Sequence, residues 1–298
     1  MVDSQKLSEM KACTVGIGII PINGFKPLAV LGSGFFVNSQ GFVMTAAHVF
    51  ESCKYVYEEF ARNHVKTFVG AIQVNLETNA FDINVLPLNI IKTSKTEVKS
   101  VLGIENIDIG IGIPKDYSKT VPFLEIKNPS SSNLYHEIIM SGYPGGDKSL
   151  NINENDGMRL SPITQFGRIT GFMPTDNTPI PWGLQTDIIG TGGSSGSPLV
   201  DLSDGKVVGI AQKVLSSTVE GKFKGFTKDS IPKNITGIFN ATTKIGLVYG
   251  ITSFYFKGLH EKVKEDYEKG VEKTQYTIMG TGASLIKLKT GRLDIVKT

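Results

Sequence analysis

A serine flanked by glycines is the residue of this chain best suited to nucleophilic chemistry. Ser195 lies in the segment 190–200, which reads GTGGSSGSPLV. A nucleophilic serine must be presented on a sharp turn whose backbone N–H groups point at the developing oxyanion. Gly193 permits such a turn because it has no Cβ to clash. An ordinary Gly/Ser loop explains the segment equally well on its own, so partners elsewhere in the sequence decide its meaning.

Two further segments offer a base and an acid. His48 follows a β-like run and two small alanines in GFVMTAAHV, residues 41–49, where small neighbours would let the imidazole turn inward. Asp108 lies in an Ile/Gly-rich run, residues 107–113, and a buried carboxylate there is costly unless it is hydrogen-bonded. A histidine after a strand is more often structural, and the aspartate could be a strand-edge cap, so neither segment is decisive alone.

The three residues are more informative together. A serine nucleophile needs an imidazole base, and the base needs an acid that fixes its tautomer and stabilises its cation. Asp82, in FDINVL, is a competing acid. We favour Asp108 because it begins a pure Ile/Gly run just before the segment that joins the two halves of the chain.

Short β-like runs separated by Gly, Asn, Asp and Pro make up most of the chain. About six lie on each side of the stretch 115–135, which predicts two similar all-β halves joined by a linker. The site would then lie in the cleft between the halves. The runs are 13–20, 28–37, 41–45, 67–74, 81–88, 107–113, 137–142, 165–172, 183–188, 197–201, 207–214 and 247–253.

Two helical patterns interrupt these runs. Residues 50–64 are rich in Glu, Tyr and Phe, and residues 255–273 carry one apolar stripe on a charged background. Residues 215–243 are polar and predict a surface insertion. Residues 274–298 predict further strands, with turns at 280–282 and at Gly291.

Composition excludes several classes of protein. The chain has 298 residues, 40% hydrophobic and 20% charged, as in ordinary globular proteins. A net charge of +3 does not indicate nucleic-acid binding. No apolar run reaches the ~18 residues of a membrane span, so we expect no membrane partner. The apolar run 12–20 predicts a first strand rather than a secretory signal, which favours a cytoplasmic protein.

The chain contains two cysteines, Cys13 and Cys53. They lack metal-ligand spacing, and we expect neither a metal nor a cofactor. Two free thiols in a reducing compartment are the favoured interpretation, although a disulfide between them stays open.

With their flanking residues, these segments resemble the trypsin-like, chymotrypsin-fold serine proteases, above all the bacterial HtrA/Deg type. Glutamyl endopeptidases of the same fold are also similar. The likeness spans about residues 10–260. The matching segments are 32–35 (GSGF), 45–49 (TAAHV), 108–109 (DI), 142–145 (GYPG) and 185–199, which fits Gln-Thr-Asp, five residues, then Gly-x-Ser-Gly-x-Pro-Leu without a gap.

The resemblance implies two six-stranded antiparallel β-barrels, at residues 8–118 and 130–256, followed by a C-terminal helix and tail at 257–298. It also implies a serine endopeptidase that works through an acyl-enzyme. Ser195 would attack the peptide carbonyl, His48 would transfer the proton and Asp108 would orient His48. The N–H groups of Gly193 and Ser195 would form the oxyanion hole.

The resemblance further implies polypeptide substrates and a role in protein quality control. Four residues, Gly250, Ile251, Thr252 and Ser253, would pair with the substrate backbone as a β-strand. Ile189, six residues before Ser195, should lie near the base of the specificity pocket and offers no charge. Thr252 stands where glutamyl-specific relatives carry a histidine. We therefore predict small or medium apolar side chains at the cleaved position.

Some features depart from the family. The interval from His48 to Asp108 is long, so residues 50–102 should hold an insertion. Ser194 stands where trypsin has an aspartate that pairs with a newly cut N-terminus, so activation by N-terminal trimming is not expected. We also expect no peptide-binding PDZ module after the helix.

Two alternatives differ in kind from this interpretation. Residues 192–196 (GGSSG) also fit the nucleophile elbow of α/β-hydrolases, but that fold needs a histidine after the serine, and only His260 on the charged helix qualifies. The second alternative is a catalytically weak protease-fold scaffold or peptide binder, in which the insertions after His48 and at 215–243 block the cleft.

Overall fold

The computed structural model describes thirteen stretches of the chain, and all structural statements below concern them. They are residues 4–24, 27–75, 82–100, 103–114, 120–146, 161–179, 181–216, 221–223, 237–239, 246–253, 256–270, 285–289 and 292–296. Within them no helix is both long and apolar enough to cross a membrane.

Strands dominate these stretches, with three α-helices between them. The helices are α1 (Ser4–Cys13), α2 (Ala47–Arg62) and α3 (Leu259–Glu268). The strands are β1 (Thr14–Pro21), β2 (Ala29–Phe36), β3 (Val43–Thr45), β4 (Thr67–Asn75), β5 (Asp82–Ser100), β6 (Gly103–Pro114), β7 (Glu137–Gly142), β8 (Ile163–Met173), β9 (Gly183–Gly190), β10 (Pro198–Asp201), β11 (Lys206–Ser216), β12 (Gly221–Phe223), β13 (Gly237–Phe239), β14 (Gly246–Thr252), β15 (Leu285–Lys289) and β16 (Arg292–Val296).

The first six strands close into an antiparallel barrel in the order β1-β2-β3-β6-β5-β4. Its strands are rich in Ile, Val and Gly, and their inward side chains, such as Ile17 and Val43, are fully buried. Closure leaves the sheet without a free edge strand, which is how an all-β chain limits exposed backbone groups.

A second barrel closes in the order β10-β11-β14-β9-β8-β7. Burial alternates along β9, with Leu184 and Ile188 inside and Ile189 outside, as a period of two requires. Two closed six-stranded antiparallel barrels with a C-terminal helix confirm the predicted chymotrypsin-like all-β fold. The boundaries 8–118, 130–256 and 257–298 stay predictions.

The long interval between His48 and Asp108 contains α2 and two strands of the first barrel, β4 and a long β5, and the insertion expected there stays a prediction. The apolar face of α2 is buried, and its Phe50 lies against β6. A Cβ at Gly110 would lie 2.6 Å from the Phe50 ring, and one at Gly112 would lie 3.0 Å from it. The glycines of β6 therefore let the helix pack closely beside the strand that carries Asp108.

Elements near the two ends complete the described structure. The helix α1, which the sequence did not predict, precedes β1 and buries Met10 and Cys13. Cys13 and Cys53 are both buried free thiols. β15 and β16 pair as a two-stranded sheet in the predicted strand-forming tail. The turn at 280–282, Gly291, residues 271–273 and most of the insertion 215–243 lie outside the described residues.

Candidate active site

His48 lies in the first turn of α2, three residues after β3 ends at Thr45. The alanines before it, Ala46 and Ala47, are fully buried, whereas the His48 side chain is 39% exposed. Small side chains at the strand-to-helix junction thus leave the imidazole at the surface, where a substrate could reach it.

Asp108 lies beside His48 because β3 pairs with β6, with Thr45 opposite Gly110. Only 7% of Asp108 is exposed. Its Oδ1 accepts the His48 backbone N–H at 2.9 Å, and its Oδ2 contacts His48 Nδ1. A carboxylate facing Nδ1 fixes the proton on that nitrogen, which leaves Nε2 able to accept one.

The competing acid, Asp82, is the first residue of β5, and its Cα partner is Asn75 of β4. Its side chain lies outside the description. Among the described contacts, Asp108 is the carboxylate bonded to His48.

The loop that carries Ser195 depends on two glycines in the left-handed region. Gly193 has φ +88° and Gly196 has φ +86°. A Cβ at Gly196 would collide with the carbonyl of Ser33 and the hydroxyl of Thr45, and one at Gly193 would lie 2.6 Å from the nitrogen of Gly146. Both positions therefore require glycine for conformation and for space.

Hydrogen bonds to two carbonyl groups hold the backbone of this loop, and the N–H group of each of these peptides points the opposite way. The Gly192 carbonyl accepts the Gly145 N–H at 2.5 Å, and the Ser194 carbonyl accepts the Ser197 N–H at 3.1 Å. In a trans peptide the N–H points opposite to the C=O. The N–H groups of Gly193 and Ser195, which donate to no other described residue, are thus available to an external oxygen.

Ser195 contacts both barrels, one through its side chain and the other through its backbone. Its Oγ–H donates to the Gln212 carbonyl of β11 at 3.3 Å, and its own carbonyl accepts the Ser33 N–H of β2 at 2.8 Å. A Cβ at Gly32 would lie 2.6 Å from Val49 and 3.2 Å from the Ser195 carbonyl oxygen. The residue after His48 and the backbone of Ser195 therefore flank the same glycine.

Ile189 lies on the outer surface of the second barrel. It is 55% exposed, and its cross-strand partner Leu247 is 47% exposed. Cross-strand partners project from the same face of a sheet. The two side chains form an uncharged apolar surface across β9, which leads to the Ser195 loop, and its neighbour β14.

The predicted pairing of residues 250–253 with a substrate strand is wrong. Both edges of β14 are occupied, since Gly250 pairs with Ala211 on one side and Leu184 on the other, and Ile251 is likewise paired on both sides. The side-chain hydroxyl of Thr252 donates to the Pro181 carbonyl, and that of Ser253 to the Lys127 carbonyl. A strand with two neighbours has no backbone groups left for a third.

The strand beside Ser195, β11, differs from β14 because part of one of its edges is not paired with another described strand. Its pairing with β10 ends at Ile210, whereas its pairing with β14 continues to Ser216. Within the described residues, positions 214–216 therefore pair with β14 alone. Neither this edge nor the Gln212 carbonyl was predicted from the sequence; the available signal was the run from Val207 to Val214, the second β-like run after the Ser195 loop.

A comparison with protein families assigns the chain. The trypsin-like peptidase domain family matches residues 32–210, which include His48, Asp108 and Ser195. The chain belongs to this family. Membership agrees with the two-barrel fold and supports a serine-type protease in general terms.

Solved structures similar to this chain include HtrA- and Deg-type proteases. The MamO protease domain from Magnetospirillum magneticum is 14% identical, with a TM-score of 0.46, over 86% of this chain and 97% of that one. Deg5 is 15% identical, with a TM-score of 0.44, over 70% and 82%. The HtrA-type protease AlgW, solved with a decapeptide, is 12% identical, with a TM-score of 0.46, over 91% and 67%. A comparison with curated proteins finds no match.

The α/β-hydrolase alternative does not fit this structure. Both sheets that carry the candidate residues are closed antiparallel barrels. Ser194 is 2% exposed, and its hydroxyl accepts the Thr191 N–H at 3.3 Å, so it faces inward. His260 lies on α3, where burial lowers the pKa of its imidazole. Among the described residues, no group of three or more His, Cys, Asp or Glu side chains could hold a metal.

Proposed function

We propose that this chain is a serine endopeptidase that hydrolyses peptide bonds through Ser195, His48 and Asp108. The observation that carries the proposal is the double contact between Asp108 and His48, from the backbone N–H and from Nδ1. It holds the imidazole in the one tautomer whose Nε2 can take a proton from a serine.

In the first step the Ser195 hydroxyl turns from the Gln212 carbonyl towards His48. As Ser195 Oγ bonds to the substrate carbonyl carbon, its proton passes to Nε2, and the carbonyl oxygen becomes an oxyanion. The N–H groups of Gly193 and Ser195 stabilise that charge. The imidazolium then protonates the amine as the C–N bond breaks, which leaves an acyl-enzyme and a free amine.

Deacylation reverses the roles. His48 removes a proton from water, the resulting hydroxide adds to the acyl carbon, and the same two N–H groups hold the second oxyanion. Collapse breaks the ester bond to Ser195 and returns the proton to Oγ. Asp108 remains ionised throughout and offsets the charge of the imidazolium.

Polypeptides are the substrate class that the surroundings of Ser195 support. An extended peptide can add as a strand to the edge of β11 at residues 214–216, next to the Ser195 loop. Because such pairing uses backbone groups, it tolerates many sequences, which suits unfolded chains and hence a role in protein quality control. The apolar surface of Ile189 and Leu247 supports small or medium apolar side chains at the cleaved position. The cytoplasmic location stays a prediction.

Hydrolysis of denatured casein and of a mixed peptide library tests the proposal. We expect turnover by the wild-type chain, none by Ser195→Ala and near-normal turnover by Ser194→Ala, with cleavage after small or medium apolar residues. Strong preference for Arg, Lys or Glu would refute the specificity. Peptide binding without turnover by the wild type would instead support the scaffold alternative.

A further inference from the structure

Ser33 of β2 is a buried hydroxyl between two glycines, and it joins three segments of the chain. Its Oγ donates to the Gly193 carbonyl at 2.7 Å and accepts the Tyr143 N–H at 2.8 Å. Its backbone N–H donates to the Ser195 carbonyl, also at 2.8 Å. Ser33 is fully buried. One residue of the first barrel therefore holds two peptide units of the Ser195 loop.

The peptide between Gly193 and Ser194 is fixed by this hydroxyl on one side. On its other side the Ser194 N–H donates to the Thr191 carbonyl at 3.1 Å. Among the described contacts, the neighbouring peptides, whose N–H groups would bind the oxyanion, are anchored through the Gly192 and Ser194 carbonyls. Gly193 has no Cβ and has φ +88°, so its two flanking peptides can rotate unless both are tied down.

The surroundings of Ser33 show that the contact is specific to this residue. Its carbonyl accepts the Thr45 hydroxyl at 2.5 Å, which fixes the strand. A Cβ at Gly142 would lie 2.7 Å from Ser33 Oγ, so the glycine of β7 leaves space for the hydroxyl. Both partners of the hydroxyl are backbone groups, and leaving such groups unpaired when buried is destabilising.

We propose that Ser33 is the positioning residue of the oxyanion hole: its hydroxyl holds the Gly193 peptide so that the N–H groups of Gly193 and Ser195 face the substrate. It does not touch the reacting atoms and acts through the loop. The role rests on the proposed peptidase function. Because the oxyanion forms only after attack, loss of the hydroxyl lowers kcat and leaves KM nearly unchanged.

Steady-state kinetics of Ser33→Ala test this role. Thermal unfolding of each variant gives its folded fraction, and kcat is calculated per folded molecule. We expect kcat to fall about 10- to 100-fold, less than or near the loss from deleting a whole oxyanion donor, with KM within threefold. Affinity for a peptide aldehyde, whose adduct carries the oxyanion, should fall by the same factor. Peptide affinity measured in the Ser195→Ala background should not change when Ser33→Ala is added.

Thr186→Val is the matched control. Thr186 is equally buried, and its hydroxyl likewise donates to one carbonyl, that of Val248 at 3.0 Å, and accepts one N–H, that of Ile188 at 3.2 Å. It should lower the unfolding temperature but not kcat per folded molecule. Ser33→Thr, which keeps the hydroxyl, should restore kcat to within threefold of the wild type.

Hydrogen exchange supplies a readout that does not require activity. Amides of residues 191–196 should exchange faster in Ser33→Ala than in the wild type, and Thr186→Val should leave them unchanged. The role of Ser33 is wrong if Ser33→Ala retains kcat, if the loss lies in KM, or if Thr186→Val loses as much. A wild-type chain without turnover would instead refute the peptidase proposal and this role with it.

Discussion

Replacing Asp108 with asparagine tests how the imidazole is held. Asparagine has the same shape, and its carbonyl oxygen can still accept the His48 backbone N–H now bonded at 2.9 Å. Its amide group, however, presents N–H hydrogens to His48 Nδ1 where the carboxylate accepted one. The proton of the neutral ring must then move to Nε2, which can no longer accept the proton of Ser195.

The expected loss in kcat is about four powers of ten. The variant forfeits the charge-assisted contact with Nδ1, disfavours the productive tautomer and no longer offsets the imidazolium that forms during attack. Together these terms correspond to ~5 kcal/mol of transition-state stabilisation, at 1.36 kcal/mol for each tenfold change. KM should stay within about threefold, because Asp108 is 7% exposed and does not face the solvent side of the ring.

Initial rates on an internally quenched peptide measure this effect, with circular dichroism to show that the variants fold. Asp82→Asn is the control, since Asp82 is the competing acid of the sequence. It should retain at least half of the wild-type rate. A loss of less than tenfold for Asp108→Asn, or a large loss for Asp82→Asn with Asp108→Asn active, would refute the reasoning.

Three further predictions concern the Ser195 loop, the stability of the fold at low pH and the two cysteine thiols. Gly196→Ala should abolish turnover and destabilise the fold, because its Cβ would collide with Ser33 and Thr45. Gly205→Ala is the control, since Gly205 also has a positive φ of +74° but has open space around it. It should lower the free energy of unfolding in urea by only ~1 kcal/mol and retain activity. For Asp201, burial opposes ionisation, but hydrogen bonds from Ser203, Lys127 and His136 outweigh it and lower its pKa to about 2. The charged carboxylate thus stabilises the fold above pH 4 by up to ~2 kcal/mol, and that contribution is lost as the pH falls towards 2; urea unfolding of Asp201→Asn should lack this dependence. Burial raises the pKa of both Cys13 and Cys53 to about 12, so Ellman's reagent at pH 8 should label neither thiol in the native chain and both in urea; rapid native labelling would contradict their burial.

The strands of both barrels could be predicted because each has a short apolar run and a clear turn. The helix α2 was predicted as residues 50–64 from their content of Glu, Tyr and Phe, close to its observed span Ala47–Arg62. The continuation of β5 from Leu88 to Ser100 was missed. Most of its residues are polar, and the cause of its extension is pairing with β6, which lies outside the local sequence.

The N-terminal helix α1 could not be predicted from apolar periodicity either. Only Met10 and Cys13 of α1 are buried, so the segment SQKLSEMKAC has almost no apolar periodicity. The helix forms with these two residues packed against the rest of the protein and without a continuous apolar face. Cys13, which was assigned to the first strand, is instead the last residue of the helix.

The candidate site divides in the same way. The positions of the serine, histidine and aspartate followed from the residues around them and from a family resemblance. The substrate strand did not, because which edge of a strand is occupied is a property of the sheet and not of its sequence. The contact from Ser33 to Gly193 spans 160 residues and was unreadable for the same reason; a single serine between two glycines in a buried run was its only local sign.

Covalent labelling by a fluorophosphonate tests the central claim most directly. The reagent reacts only with a serine that is activated by a base and faces an oxyanion hole. We predict one label per chain, found on Ser195 by peptide mass spectrometry, lost in Ser195→Ala and in His48→Ala, and kept in Ser194→Ala. No labelling of the folded wild type, or a label that survives Ser195→Ala, would contradict the assignment of Ser195 as an activated nucleophile.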